Sequence, residues 1–566
     1  MRVHPLGSIL ILVWLFTSGW SSVAGAAPVA DTVVVNARVY TVDARKPWAE
    51  AIAIRKGRIL AVGSNAEISR YRANQTRIID AEQRLVLPSL TDCHVHFLEG
   101  SLGLSRLGLD DAQSIADVQR KLKEFAAAHP DSSWLVGRGW TYPIFGESGL
   151  PHKRDLDVVV SDRPVVLEGY DMHTVWANSK ALAAAGITRE TPDPPHGTIV
   201  RDAATGEPTG TLKESAAKLL WDAIPRLTDE ERLEALRKGL AEANRLGLGR
   251  LHSAGRDQDV LPLFERLRQQ DQLTARLYVA LPMEPPSLTP EFLARLRAAR
   301  STYQNEWLST GAVKIVVDGI VETHTAAMFE PYVDVPSERG EPFWAENELA
   351  RAVTELDRQG FQLFTHAIGD RAVRLTLDTY QRAAKQNASR NRRHRIEHLE
   401  TLTEQDASRL GKLGIIASFQ PFHAYPDATT LDTWAGKIGP ERASRGFGWQ
   451  RIVKGGGKLA FGSDWPVVTL NPWYGIQTAV TRETEEGKPA GGWLPEQRLS
   501  LEQALRAYTL DAAFAARLEK EEGSLEAGKR ADLIMLSRNV FEIDPREIRN
   551  TEVQLTMVGG KIVYRK

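Results

Sequence analysis

The chain has 566 residues, with 71 Lys plus Arg against 72 Asp plus Glu, a formal charge of −1. That balance provides no field to draw in nucleic acid or an anionic membrane as the main partner. Hydrophobic residues at 42% and charged residues at 25% exclude disordered and fibrous classes, and a lone cysteine, Cys93, excludes an internal disulfide.

In chain order, Arg2 precedes an apolar run over residues 6–16, and Ala24-Gly25-Ala26 then fits the small-x-small rule for signal cleavage. Residues 1–26 are therefore predicted to be a signal peptide, since the run is shorter than the ~20 residues a membrane span needs. The mature protein is expected to be exported, to a bacterial periplasm or beyond, with no membrane attachment after cleavage. Residues 27–87 read as short β-branched strands (32–36, 38–42, 49–54, 58–62) separated by turn formers such as Lys56-Gly57. Residues 523–566 repeat that texture, with Gly559-Gly560 as a hairpin turn between two apolar runs. Both ends together predict one β-sandwich domain.

Residues 88–522 differ. A helical pattern over 347–359 ends at Gly360, a strand follows at 361–365, and a helix runs on to about residue 385. Further strands are predicted at 394–398, 415–419 and 459–463, and Thr403 opens a capped helix. This alternation predicts an α/β region with a parallel sheet, best arranged as a (β/α)8 TIM-type barrel with insertions. Periodicity leaves a doubly wound sheet open. The stretch 100–249 resists assignment, apart from strands near 134–137 and 164–167 and an amphipathic helix over 229–246.

The histidines fall in informative places. His94-Val95-His96 follows the apolar run 84–90, and strand alternation sends residues i and i+2 to one side. His366 and His398 end two predicted strands, Asp464 follows a third, and Lys314 lies inside the apolar strand 312–317. Barrel enzymes place their chemistry at the C-terminal ends of such strands. Four imidazoles and a carboxylate suit a divalent metal, zinc best, with nickel, manganese or iron as alternatives. Each group alone has a plainer role: a core histidine, an edge lysine, a helix-capping aspartate. Their conjunction at strand ends argues for metal chemistry, and a buried lysine is costly enough to imply a chemical purpose such as carbamate formation.

This set resembles the ligands of the amidohydrolase superfamily. The segments 366–373, 395–398 and 462–467 more narrowly resemble amidohydrolase family 3, a branch that includes N-substituted formamide deformylase. The resemblance implies a catalytic barrel beside a composite β-sandwich. It implies that His94 and His96 hold one metal, that His366 and His398 hold another, and that a carboxylated Lys314 bridges them, although some branches use a single ion. Asp464 would ligate the first metal and serve as general base. The implied function is a metal-dependent hydrolase cleaving a C–N amide-type bond other than a peptide bond, in an N-formyl or N-acyl amine. The metal would lower the pKa of water from about 15.7 toward about 7 for attack on the carbonyl. Rivals are a deaminase or cyclic-amide hydrolase on the same scaffold, and a non-catalytic binding protein, against which the complete ligand set argues.

The partner expected is a small-molecule substrate, and a homo-oligomer stays open. His173, in a segment similar to one near the substrate in this family, is the leading substrate contact, with Trp176 beside it. Trp140 and Tyr142 are expected to wall an apolar pocket, and Glu322 and His324 to face the site, with Gln420 and His423 as weaker candidates. Arg390, Arg392, Arg393 and Arg395 are read as a solvated basic loop.

Overall fold

The computed structural model describes residues 28–255, 259–285 and 288–566, so the predicted signal peptide lies outside the described residues. Eight strands form the central sheet: β1 (Leu90–Val95), β2 (Leu248–Ser253), β3 (Arg276–Met283), β4 (Leu308–Val316), β5 (Gln362–Ala367), β6 (Arg395–His398), β7 (Ile416–Phe419) and β8 (Lys458–Phe461). Each is a parallel neighbour of the next, in chain order from β1 to β8. Just beyond β8 the Asp464 amide donates to the His94 carbonyl at 2.7 Å, drawing the last strand back to the first. A doubly wound sheet reverses its strand order at a switch point, so this monotonic order decides for the barrel.

Local sequence explains the surrounding helices. Glu346–Arg358 buries Leu349, Val353 and Leu356, and Asp370–Gln386 buries Val373, Leu377 and Tyr380 at helical spacing against the sheet. Thr403 caps Glu404–Leu413 by accepting the Asp406 amide, and Gly414 ends that helix at φ 64°.

Both chain ends build two further sheets. One orders Arg58–Gly63, Ala51–Arg55, Thr32–Val35 and Arg77–Asp80. The other orders Lys561–Arg565, Val553–Val558, Leu533–Leu536, Leu85–Pro88, Arg38–Tyr40 and Trp48–Ala49. Val34, Ile52 and Ile54 from the first sheet share one core with Val86, Leu533, Leu555 and Met557 from the second. Gly559 and Gly560 turn the C-terminal hairpin at φ 59° and 75°, the left-handed pair that such a turn needs.

The unassigned stretch between β1 and β2 contains a third unit. Its six-stranded mixed sheet orders Gly197–Arg201, Pro208–Glu214, Thr174–Ala177, Val165–Gly169, Leu135–Trp140 and Leu107–Gly108. Its strands were hard to read because one runs Leu-Val-Gly-Arg-Gly-Trp and another starts at proline, which hides the alternation. The helix expected at 229–246 is Asp229–Arg245, opened by a Thr228/Glu231 capping box.

The basic loop is a correction. Arg390 and Arg392 both bind Asp357, Arg393 binds Glu519, and Arg395 is fully buried in the barrel. Among the described residues no helix is long and apolar enough to cross a membrane.

Candidate metal centre and its cavity

The barrel gathers the predicted ligands at one end. His94 lies on β1 with His96 just beyond it, Lys314 on β4, His366 on β5, His398 at the end of β6, and Asp464 just after β8. His398 (φ 73°) and Asp464 (φ 63°) both have left-handed backbone, which non-glycine residues rarely adopt and which is concentrated at functional sites. Ring centroids lie 5.0 Å apart for His94–His398 and 4.4 Å for His366–His398. His94, His398 and Asp464 present ligand atoms within 4.8 Å of one another. Lys314 reaches the same point, its Nζ 2.9 Å from His94 Nε2.

The chemistry of this donor set fits a divalent metal. Burial and the neighbouring Lys314 push His94 down to about 4, and burial holds His366 and His398 well below the usual imidazole value. At neutral pH these rings are uncharged and offer lone pairs. His94 Nδ1 lies 2.7 Å from Glu397 Oε2, an acceptor, so its proton sits there and its lone pair is at Nε2. That Nε2 lies 3.3 Å from Asp464 Oδ1, and His96 Nε2 lies 3.1 Å from the same oxygen, which accepts no hydrogen bond among the described residues. The His94 Nε2 lone pair thus faces a carboxylate oxygen and Lys314 Nζ together, the kind of spot a cation occupies. Two ligands on a tetrahedral ion with bonds of about 2.0–2.1 Å are about 3.3 Å apart, so the spacing is that of ligands sharing an ion.

Other side chains steady this arrangement. His398 Nδ1 is 2.8 Å from Gln420 Oε1, and His366 Nε2 is 3.2 Å from the Gly319 carbonyl. Asp318, after β4, accepts the backbone amides of Ala327, Ile368 and Gly369 and so ties the loops after β4 and β5 together.

A cavity of about 1550 Å³ adjoins the centre, lined by His96, Lys314, His366, His398 and Asp464 together with His173 of the inserted sheet. His173 Nδ1 is 2.8 Å from Glu214 Oε2, and Thr325 Oγ1 donates to Glu214 Oε1 at 2.7 Å. His173 and His366 ring centroids are 6.1 Å apart. Glu322 also lines the cavity; burial, helped by Glu400, pushes its carboxyl up to about 7, and it accepts the Tyr170 hydroxyl at 3.1 Å. His423 lines it too, its ring stacked parallel to His398 at 6.1 Å.

Four residues expected at the substrate are placed elsewhere. Trp140 and Trp176 are fully buried in the core of the inserted sheet, packed on Phe145, with indole N–H groups donating to the Leu167 and His152 carbonyls. Their size and apolar surface make them core rather than wall. Tyr142 packs beside them and donates to Asp171 at 2.6 Å. His324 turns away to Asp334 and Lys437 and packs on Tyr332. Sequence reasoning assigned no role to Glu397, Glu214, Glu400 or Asp318. Only Glu397 had a local signal, its i+2 spacing from Arg395 on one strand face.

Comparison with known proteins agrees with this architecture. The amidohydrolase family profile matches residues 77–564. The chain is 35% identical to Protein LONG AFTER FAR-RED 3 of Arabidopsis thaliana, over 99% of this chain and 97% of that one. It is 28% identical to N-substituted formamide deformylase of Arthrobacter pascens, over 95% of this chain and 98% of that one. Its fold superposes with a TM-score of 0.72 on the crystal structure of an uncharacterized metal-dependent hydrolase from Pyrococcus horikoshii, at 24% identity, covering 91% of this chain and 99% of that one. A barrel with metal-ligand geometry at its mouth and a family match over most of its length make this chain a member of the amidohydrolase family, a metal-dependent hydrolase of that superfamily.

Proposed function

We propose that the chain hydrolyses a C–N amide-type bond in an N-formyl or N-acyl amine, with zinc as its metal. The observation that carries the reading is the Asp464 oxygen facing two imidazole nitrogens at 3.1 and 3.3 Å beside a large cavity. His94 and His96 would hold one ion and His366 and His398 a second, with Lys314 between them after condensing with carbon dioxide to a carbamate. A bound metal would supply Lewis acidity toward the carbonyl and toward water at neutral pH.

The chain's own residues do the rest. Asp464 takes the proton of the attacking water and returns it to the leaving nitrogen, so that R–CO–NH–R′ and water become a carboxylic acid and an amine. His173, oriented by Glu214, offers its Nε2 side to the substrate within the same cavity. Likeness to N-substituted formamide deformylase along nearly its whole length supports a formyl or small acyl group.

The test is metal content per chain by mass spectrometry on protein purified without chelator, followed by a screen of N-formyl and N-acyl amines for released amine. About two ions with amine release supports the reading. No metal after reconstitution with zinc or manganese and bicarbonate refutes it, and release of ammonia from a ring amine instead would make the protein a deaminase.

A further inference from the structure

Next to the metal centre the barrel interior holds an arginine where apolar side chains usually stack. Arg395 of β6 is fully buried and donates to Glu397 at 2.7 and 3.0 Å, to Ser418 Oγ of β7 at 3.1 Å, and to the Cys93 carbonyl of β1. Its guanidinium also lies 3.0 Å from His252 Nδ1 of β2 and 3.7 Å above the Phe364 ring of β5. A buried ion pair of this kind seldom stabilises a fold more than apolar side chains of the same volume. Its presence therefore calls for another task.

The geometry supplies one. Residues i and i+2 of a strand share a face, so Arg395 and Glu397 both point inward, and Glu397 Oε2 is the atom that meets His94 Nδ1 at 2.7 Å. The other side of the same ring agrees independently. Lys314 Nζ, a donor, lies 2.9 Å from His94 Nε2, which must then be the acceptor nitrogen.

We infer that Glu397, clamped by Arg395, is the positioning residue that fixes His94 with its N–H inward and its Nε2 lone pair toward Asp464, so that this metal ligand is set before any ion arrives. Without Glu397 the ring is free to flip or change tautomer, and the ligand must be ordered at the moment of binding. The inference rests on the metal-site reading above.

The test compares wild type with Glu397→Leu, with Glu397→Gln and with the paired variant Arg395→Met/Glu397→Leu. Zinc affinity is measured by chelator competition, and the melting point is taken on metal-free protein. Glu397→Leu and the paired variant are expected to bind zinc about 10–100-fold more weakly. The paired variant, which removes both charges together, should keep a metal-free melting point close to wild type. Glu397→Gln keeps an acceptor for Nδ1–H and should lose less affinity than Glu397→Leu, and it serves if the leucine variants fail to fold. Wild-type affinity in the leucine variants, or in Glu397→Gln if they do not fold, overturns the inference while leaving the metal site standing. A collapsed metal-free melting point in both the paired variant and Glu397→Gln makes the pair structural and also overturns it. Wild type that binds no zinc overturns the metal-site reading itself.

Discussion

Asp357 offers a sharp test of how the strand carrying Arg395, Glu397 and His398 is held. It ends the helix Glu346–Arg358, is 1% exposed, and receives Arg390 at 2.6 Å, Arg392 at 2.9 Å, Asn387 at 2.8 Å and His394 at 3.0 Å. These donors belong to the segment that leads into β6. In Asp357→Asn one acceptor oxygen becomes an NH2 group facing donors, and two guanidinium groups lose their counter-charge. Breaking a buried pair costs about 3–5 kcal/mol. The Arg390 and Arg392 side chains keep 26% and 15% of their exposure, so the lower end, about 3 kcal/mol, applies here. A melting point moves by about 2–4 °C per kcal/mol in a domain of 150–250 residues and less in a longer chain, so a drop on the order of 3–6 °C is expected near neutral pH. Differential scanning fluorimetry measures it. The pH dependence has a definite sign. Burial pushes the Asp357 carboxyl up, but hydrogen bonds from His394 and Asn387 hold it well below the usual carboxylate range. A depressed carboxylate stabilises above its unfolded pKa and loses that contribution as the pH falls, so the gap between variant and wild type should persist from about pH 8 to about pH 5 and narrow below about pH 4. A gap under about 1 °C near neutrality, or one that widens in acid, would refute the reasoning.

Other expectations concern the site. Asp464→Asn should lower hydrolysis about 10²–10⁴-fold while the protein stays folded by circular dichroism; undiminished turnover would remove Asp464 as the proton carrier. Glu214→Gln should reduce kcat/KM without changing metal content, because it disturbs His173 and leaves the ligands alone; loss of metal would show that Glu214 serves the centre instead. Trp176→Ala should destabilise by about 3–5 kcal/mol, as removal of a buried aromatic does, and leave KM unchanged in whatever protein folds. A changed KM would restore Trp176 as a substrate contact. Stripping metal with a chelator should abolish activity and lower the melting point, since an ion at about 1,000 times its Kd stabilises by about 4.1 kcal/mol. An unchanged melting point together with full activity would refute metal dependence.

Motif chemistry was legible where it was local. His94-Val95-His96 announces itself through strand alternation, and His366, His398 and Asp464 each sit where an apolar run stops. The composite sandwich was equally readable, because β-branched runs and the Gly559-Gly560 turn are signals a few residues long. The substrate wall was not. Trp140 and Tyr142 read as pocket walls and Trp176 as a substrate contact, but all three pack in the core of a sheet whose strand order local pattern does not encode. His324 likewise follows its loop to Asp334.

Sequence alone nominated the residues for metal chemistry here and determined that alternating strands and helices would bring their ends to one side, since residue type and short-range period are local properties of the chain. Tertiary structure alone decided that the strands neighbour one another in the order β1 to β8, that the inserted unit delivers His173 to the cavity, and that Glu397 meets His94 across 303 positions of sequence. Such long-range pairings depend on how buried polar groups find partners once the core has packed.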